Sequence, residues 1–406
     1  MYNILYISYD GMTDPLGQSQ VMPYLQGLST AGYKITLLSC EKKDKLNKNK
    51  AHIEKLLAAS NISWHYTIFS SSPPLLSKLY DVYMLQSKAF ELHNKNKFSL
   101  VHCRSYIAAD IGCQMKNKFG IKFLFDMRGF WVDERVDGGL WDLHNPFYKW
   151  IYKKYKKKEA AYFSAADSII SLTEEGKKEL MTWKCYNGTE VHVIPCSADF
   201  ELFSLTTTEQ KQLARKKLAI GEKDTVVSYL GSIGTWYMLD EMLDFFVMLK
   251  RSYPNSKFLF ITNGEHERIR DRMQAKNIAA GDVIITSGKR EEIPLLAKAA
   301  DLSLSFIRSS YSKKSSSPTK MGELLAMGIP VVCNDGVGDV KQIIEQTKGG
   351  LVINDFSEKS FKKVIDNLAI LLSLSPQDIR SKAFEYYDLN KAREKYIQVY
   401  KTLLKN

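Results

Sequence analysis

The chain has 406 residues, 45% of them apolar and 12% aromatic, which is globular in composition and too long for one ordinary core, so two domains are expected. Its formal net charge of +12 requires an anionic partner, and no run of about 18 apolar residues provides a membrane span. Nucleic acid and an anionic membrane surface both answer that charge, which alone does not choose between them, although no nucleic-acid-binding signature is present. The six cysteines are scattered without Cys-x-x-Cys or metal spacing, as reduced cytosolic thiols would be. The start of the chain, Met1 to Ser8, lacks a basic segment and a small-residue cleavage site, and is read as a first strand rather than a signal peptide.

Ile4 to Ser8 is predicted to be a strand, Tyr9 to Gln20 a loop, Val21 to Thr30 a helix and Ile35 to Cys40 the next strand. Such a βαβ unit implies a parallel sheet with ligands at the carboxyl ends of its strands. Gly17 would let the loop backbone approach a ligand, and Gln18 and Gln20 offer side-chain amides. Lys42 to Lys50 reads as a charged connection before a helix His52–Ala59 and a strand Ile62–Phe69. After the Pro73-Pro74 break, Leu75 to Lys95 has the pattern of a long amphipathic helix.

Leu100 to Arg104 and Lys122 to Asp126 are further strands, which makes Arg104, Asp126 and Arg128 strand-end residues. Asp133 and Glu134 follow as possible general bases. From Pro146 onward aromatics and lysines interleave, with Trp150, Lys153, Lys154 and Lys157 among them. Apolar ring bodies with basic heads suit a helix lying at a membrane interface, where each lysine contributes about 1 kcal/mol near an anionic surface. A strand over Ala165–Thr173, a helix Glu174–Met181 and a strand Val191–Ile194 complete this half.

The polar segment Ser204–Lys223 reads as a linker to a second sheet that starts at Thr225–Leu230. Its first loop runs Gly231-Ser232-Ile233-Gly234-Thr235-Trp236-Tyr237 into a helix Leu239–Ser252. Strands follow at Lys257–Thr262, Val283–Thr286 and Leu302–Phe306, with Lys289 and Arg290 just beyond the second of them. The stretch Ser315 to Asn334 is a small-residue loop, a helix Thr319–Met327 closed by Gly328, and a strand Val331–Cys333. Ser317, Pro318 and Thr319 bring backbone N–H groups to the helix start, Lys320 adds a mobile charge, and Glu323 lies one turn further in. Two readings of this stretch are open: an anion site with a carboxylate placed to bind a sugar hydroxyl beside it, or an ordinary αβ unit with a polar loop.

This Pro-Thr-Lys-x-x-Glu-x-x-Ala-x-Gly-x-Pro-Val-Val stretch resembles the donor signature of glycosyltransferase family 4. The resemblance implies a GT-B fold of class α/β. Its parts would be an acceptor-side Rossmann-like domain over residues 1–200, a facing nucleotide-sugar domain over 201–380 with an interdomain cleft, and a C-terminal helix, 381–406, crossing back. It implies that Gly17, Gly231, Ser232, Tyr237, Lys289, Arg290 and Ser317 to Lys320 border the donor, and that Glu323 binds the ribose. It also implies retention at the anomeric carbon, without a metal or other cofactor.

The sequence departs from the family pattern in three respects: Arg104 and Arg128 stand where relatives carry histidines, Ser232 and Tyr237 stand in place of basic residues, and Ser315 stands in place of a glutamate. Two guanidiniums suggest that Arg104, Arg128 and Asp126 form a catalytic site that recognises carboxylate or phosphate; the alternative is that Arg128 is locked to Asp126, Asp133 or Glu134 as a buried pair. The expected activity is hexosyl or acidic-sugar transfer from a nucleotide-sugar to a glycan or polyprenyl-linked acceptor in surface polysaccharide biosynthesis, peripheral on the inner face of the cell membrane. The alternatives are a non-catalytic GT-B-like binder of nucleotide or anionic glycan, and an NAD(P) oxidoreductase. The latter lacks a Gly-x-Gly-x-x-Gly fingerprint followed by an acidic residue.

Overall fold

The computed structural model describes residues 2–70, 72–73 and 76–405. The predicted helix start at Leu75, with Pro74, and the first residue Met1 lie outside them. The chain divides into two compact units, Met1–Pro195 with Leu389–Asn406, and Cys196–Asp388.

The first unit is built on seven parallel strands: β1 (Asn3–Ser8), β2 (Lys34–Glu41), β3 (Ser63–Ile68), β4 (Leu100–Arg104), β5 (Lys122–Asp126), β6 (Ser168–Ser171) and β7 (Val191–Val193), in the order β3-β2-β1-β4-β5-β6-β7. Alternation along β1 serves two cores, Ile4 and Tyr6 on one face, Leu5 and Ile7 on the other. The C-terminal helix Leu389–Lys405 belongs to this unit, and its Tyr396, Tyr400 and Leu403 share a core with β1 and the helix Met22–Thr30. Ser8 pairs with Arg104 and Arg104 with Asp126, so β1, β4 and β5 end level where the strand order reverses. Such reversals are where open α/β sheets bind ligands.

The second unit has six parallel strands, β8 (Thr225–Leu230), β9 (Ser256–Ile261), β10 (Val283–Thr286), β11 (Leu302–Ser305), β12 (Val331–Asn334) and β13 (Gly350–Ile353), in the order β10-β9-β8-β11-β12-β13. Its switch point lies between β8 and β11.

Three segments are more ordered than their composition suggests. Pro15–Gln20 is a short helix inside the expected loop, and Gly17 is needed there because a Cβ would lie 2.7 Å from Met12 Cα. The charged connection is the start of a helix, Lys43–Ala58, which buries Leu46, Ile53 and Leu57 on one stripe. The supposed linker contains the helix Thr208–Lys217, opened by a capping box between Thr207 and Gln210. Its buried Arg215 is tied to Asp301 at 2.6 Å, so the segment is part of the second unit's framework.

Candidate active site

In the second unit the helix Thr319–Ala326 is preceded by Pro318 in extended conformation. It ends at Gly328 with φ +74, where the Gly328 and Ile329 amides bond to Leu325 and Leu324. Gly322 is required on its buried side, since a Cβ would stand 2.7 Å from the Tyr387 ring. The first four amides of a helix have no intrahelical acceptor, so this entrance can receive an anion.

Facing it is the loop after β8. Gly231 has φ +146, and a Cβ there would overlap the Lys320 ammonium. The Tyr229 hydroxyl donates to the Ser232 carbonyl at 2.7 Å, and the Tyr237 ring lies 4.9 Å from Lys320 Nζ. The loop's far end is held to the segment after β11 by Arg308 N–H donating to the Trp236 carbonyl at 2.8 Å. Lys313 Nζ lies 3.7 Å from the centre of the Trp236 ring. Gly231 and Tyr237, both in this loop, therefore meet Lys320, far from them in sequence, in one cationic recess.

Glu323 is 5% exposed and accepts a 3.1 Å hydrogen bond from Arg290 Nη1, whose guanidinium sits 5.4 Å from the Phe203 ring. Burial pushes the Glu323 carboxyl up, against the pull of Arg290 and Lys320. The sequence placed Arg290 and Glu323 at separate parts of a donor; the structure joins them. Lys289 is exposed, its amide donating to Glu292 at 2.8 Å. Ser317 Oγ accepts from the Cys196 amide at 3.2 Å, and the buried Ser315 hydroxyl has no hydrogen-bond partner among the described residues. Sequence reading missed Asn334. Its side chain grips both the amide and the carbonyl of Ile307 at 2.8 Å and so fixes the loop that leads to the helix. An Asn at the end of a buried strand was the available signal.

In the first unit, Arg104 is buried at the end of β4, and Arg128, intermediate in exposure with its side chain largely covered, follows the end of β5. Arg104 Nε reaches Asp10 at 3.5 Å and Nη1 reaches the Gln20 carbonyl at 3.4 Å. Arg128 has φ +58, and its Nη1 is 3.8 Å from Asp126 Oδ1. Ser105 also has a positive φ, +65, so both strand ends hold non-glycine residues in a strained conformation of the kind common at functional sites. Burial alone would raise the Asp126 carboxyl, but Arg128 and His102 outweigh it and hold it low. His102, between them, is driven toward the neutral form by burial. Gln20 is buried, and its Oε1 accepts from Tyr24 at 3.0 Å. Asp133 is bound by Tyr152 at 2.8 Å and by Lys156 at 3.1 Å.

The loop after β1 is held by a residue the sequence did not single out. Glu41 is fully buried at the end of β2, and its carboxylate accepts from the Met12 amide at 2.6 Å, the Thr13 amide at 3.1 Å, and the Thr13 and Ser39 hydroxyls at 2.6 Å each. On the helix Pro146–Ala165, Trp150 is 58% exposed with Lys154 Nζ 5.1 Å from its ring, and Lys153, Lys154 and Lys157 face solvent. Among the described residues no group of three or more His, Cys, Asp or Glu could hold a metal, and no helix is long and apolar enough to cross a membrane.

Two doubly wound parallel sheets in one chain, each with its loops gathered at a switch point, define the GT-B class of glycosyltransferase fold. The profile of Glycosyltransferase Family 4 matches residues 19–202, and that of Glycosyl transferases group 1 matches residues 210–383. Together the two matches run through most of the chain, and it belongs to glycosyltransferase family 4. It is 28% identical over 193 residues to alpha-monoglucosyldiacylglycerol synthase of Acholeplasma laidlawii, a match spanning 46% of each chain, so just under half the length of that relative is covered. A glycosyltransferase from Rickettsia africae has the same fold, with a TM-score of 0.74 at 15% identity over 100% of this chain and 99% of that one. The Anabaena protein HepE, solved with UDP and glucose, aligns with a TM-score of 0.70 at 13% identity over 99% of both chains.

Proposed function

We propose that this glycosyltransferase takes its sugar from a nucleoside-diphosphate donor held in the second unit and passes it to a lipid-linked or glycan acceptor at an anionic membrane surface. The observation that carries the donor reading is the Lys320 ammonium lying over Gly231 at the mouth of the helix Thr319–Ala326, with Glu323 one turn inside. A diphosphate there meets helix amides and the charges of Lys320, Lys313 and Arg308, which stabilise the departing nucleotide as it gains charge; this reading assigns no role to a metal. Glu323 binds the ribose once Arg290 yields it. Binding of UDP and glucose by HepE supports a nucleotide-sugar of this kind.

At the strand ends of the first unit, Arg128 and Arg104 orient the anionic part of a substrate, and Asp126 holds Arg128. Transfer with retention is part of the proposal, resting on the family resemblance. Trp150, Lys153, Lys154 and Lys157 supply the membrane contact on the inner face of the cell membrane. The name of the Acholeplasma relative, a glucosyldiacylglycerol synthase, supports an acceptor carrying lipid. Polysaccharide assembly on such an acceptor is the proposed setting.

Calorimetric titration with UDP-, GDP- and CMP-sugars tests the donor site. One class is expected to bind, and Lys320→Ala to weaken it about tenfold, a normal loss for one charge-assisted phosphate contact. Equal affinity in wild type and variant would refute the site.

A further inference from the structure

The helix Leu76–Asn96 is apolar on two opposite faces. Its inner stripe, Leu85, Ala89 and Leu92, is buried in the core of the first unit, with Asp81 on the same side holding the Ser70 amide at 3.0 Å. Its outer stripe is Leu76, Leu79, Tyr80, Tyr83 and Met84, and Leu79 and Tyr83 are 68% and 66% exposed. These positions follow the i, i+3, i+4, i+7 spacing of a single helical face. One exposed leucine needs no explanation, but a continuous apolar stripe marks a contact surface.

The surroundings identify what meets it. Lys78, on the side of these turns away from the stripe, has its ammonium 5.7 Å from the Trp131 ring. Trp131 packs on Tyr155 at 5.2 Å, and Tyr155 belongs to the helix Pro146–Ala165. Both helices lay their inner sides on one core, Leu85, Ala89 and Leu92 from the first and Tyr162 and Phe163 from Pro146–Ala165, so both turn their outer sides away from the same face of the sheet; the second exposes Phe147, Trp150, Lys149, Lys153, Lys154 and Lys157 there. Among the described residues none of these four lysines has a carboxylate within ion-pair distance, whereas Lys156 and Lys158 on the inner side are both paired. A second copy of a chain with net charge +12 would bring like charge against these lysines. An anionic bilayer satisfies both features together, with acyl chains for the stripe and headgroups for the lysines.

We infer that the Leu76–Met84 stripe is an insertion element that sinks into an anionic bilayer while Lys149, Lys153, Lys154 and Lys157 bind its headgroups. The inference rests on the membrane reading above, which assigned contact to the cationic helix alone, and adds a hydrophobic anchor that salt does not screen.

Flotation of the full-length protein with phosphatidylcholine vesicles, with and without phosphatidylglycerol, tests it at low and high salt. The wild type is expected to bind only the anionic vesicles and to keep part of that binding in high salt. The variant Leu79→Glu/Tyr83→Glu changes two exposed side chains, and its melting temperature should match the wild type; its vesicle affinity is expected to fall about tenfold or more, the effect of removing two apolar groups from the acyl boundary. Unchanged affinity in this variant would overturn the insertion element, even if replacing the four lysines by Gln released the protein and so left the membrane reading intact. Absence of wild-type binding to any vesicle would remove both. A dimeric wild type made monomeric by Leu79→Glu/Tyr83→Glu would make the stripe a self-interface, and equal binding to neutral vesicles would defeat the charge argument; either result overturns the inference.

Discussion

The hydroxyl of Tyr396, on the C-terminal helix, donates a 3.1 Å hydrogen bond to Asp126 Oδ2 at the end of β5. One helical turn on, the Tyr400 hydroxyl meets His102 Nδ1 at 2.9 Å, and His102 Nε2 is 3.4 Å from the same Asp126 oxygen. The last helix of the chain therefore supports, from beneath, the carboxylate that pairs with Arg128. Tyr396→Phe keeps the ring packed and removes one donor from a buried carboxylate, a loss of about 1–3 kcal/mol. The melting temperature is expected to fall, and kcat to change more than the donor KM, since the proposed nucleotide site is in the other unit. An unaltered kcat in a folded variant would leave Tyr396 with a structural role only.

Glu41 offers a sharper test of loop positioning. Two amides and two hydroxyls converge on a carboxylate with no access to water, so charge and hydrogen bonds must balance locally. Glu41→Ala strands all four donors and is expected to cost about 3 kcal/mol or more in denaturant unfolding. Glu41→Gln restores size but can offer only its carbonyl as an acceptor, and should recover part of the stability while acceptor KM stays raised. Complete recovery of both by Gln would show that shape alone holds the loop after β1.

A buried carboxyl outside the site gives a pH signature. Burial pushes Glu159 up to about 7, against the pull of Lys156 and of the Tyr106 hydroxyl. Because the folded protein holds this proton more tightly than the unfolded chain, the native state binds more protons between the ordinary carboxylate range and pH 7. Glu159 therefore stabilises most fully at low pH, and its contribution is lost as pH rises through that window. Urea midpoints measured at pH 5 and pH 8 should show a smaller difference for Glu159→Gln than for the wild type. Identical differences would mean that Glu159 keeps an ordinary pKa.

Apolar runs and helix punctuation made much of the fold legible. Thr225–Leu230, Leu239–Ser252 and Val283–Thr286 have the boundaries expected of them, and Asn145 caps the helix opened by Pro146. The failures have local causes. Lysines and asparagines hid the Leu46, Ile53 and Leu57 stripe of Lys43–Ala58, and the Thr207–Gln210 capping signal was passed over in a charged stretch. Glycine at 17 suggested an open loop, whereas the structure uses it to let a short helix close on Met12. Within the candidate site, the helix entrance at Thr319–Glu323 was legible as local structure because one continuous segment carries it. The Arg290–Glu323 pair, the Asn334 brace and the Glu41 latch depend on partners far away in sequence, which no periodicity reveals.

Gly231 is where that long-range geometry can be tested most directly. Its φ of +146 is strained for any side chain, and a Cβ would occupy the space of the Lys320 ammonium. Gly231→Ala must either twist the loop after β8 or displace Lys320 from the helix mouth. The backbone penalty alone is about 1–2 kcal/mol, within what a protein of this size tolerates, so the variant should fold with a modestly lower melting temperature. Displacing Lys320 removes the charge nearest the proposed diphosphate, so UDP affinity should fall by about as much as in Lys320→Ala, tenfold or so. The two substitutions act on one contact, and the double variant should therefore be no weaker than the poorer single one. Additive losses in a double-mutant cycle would show that Gly231 and Lys320 meet the nucleotide separately, and the recess would not be a single anion site.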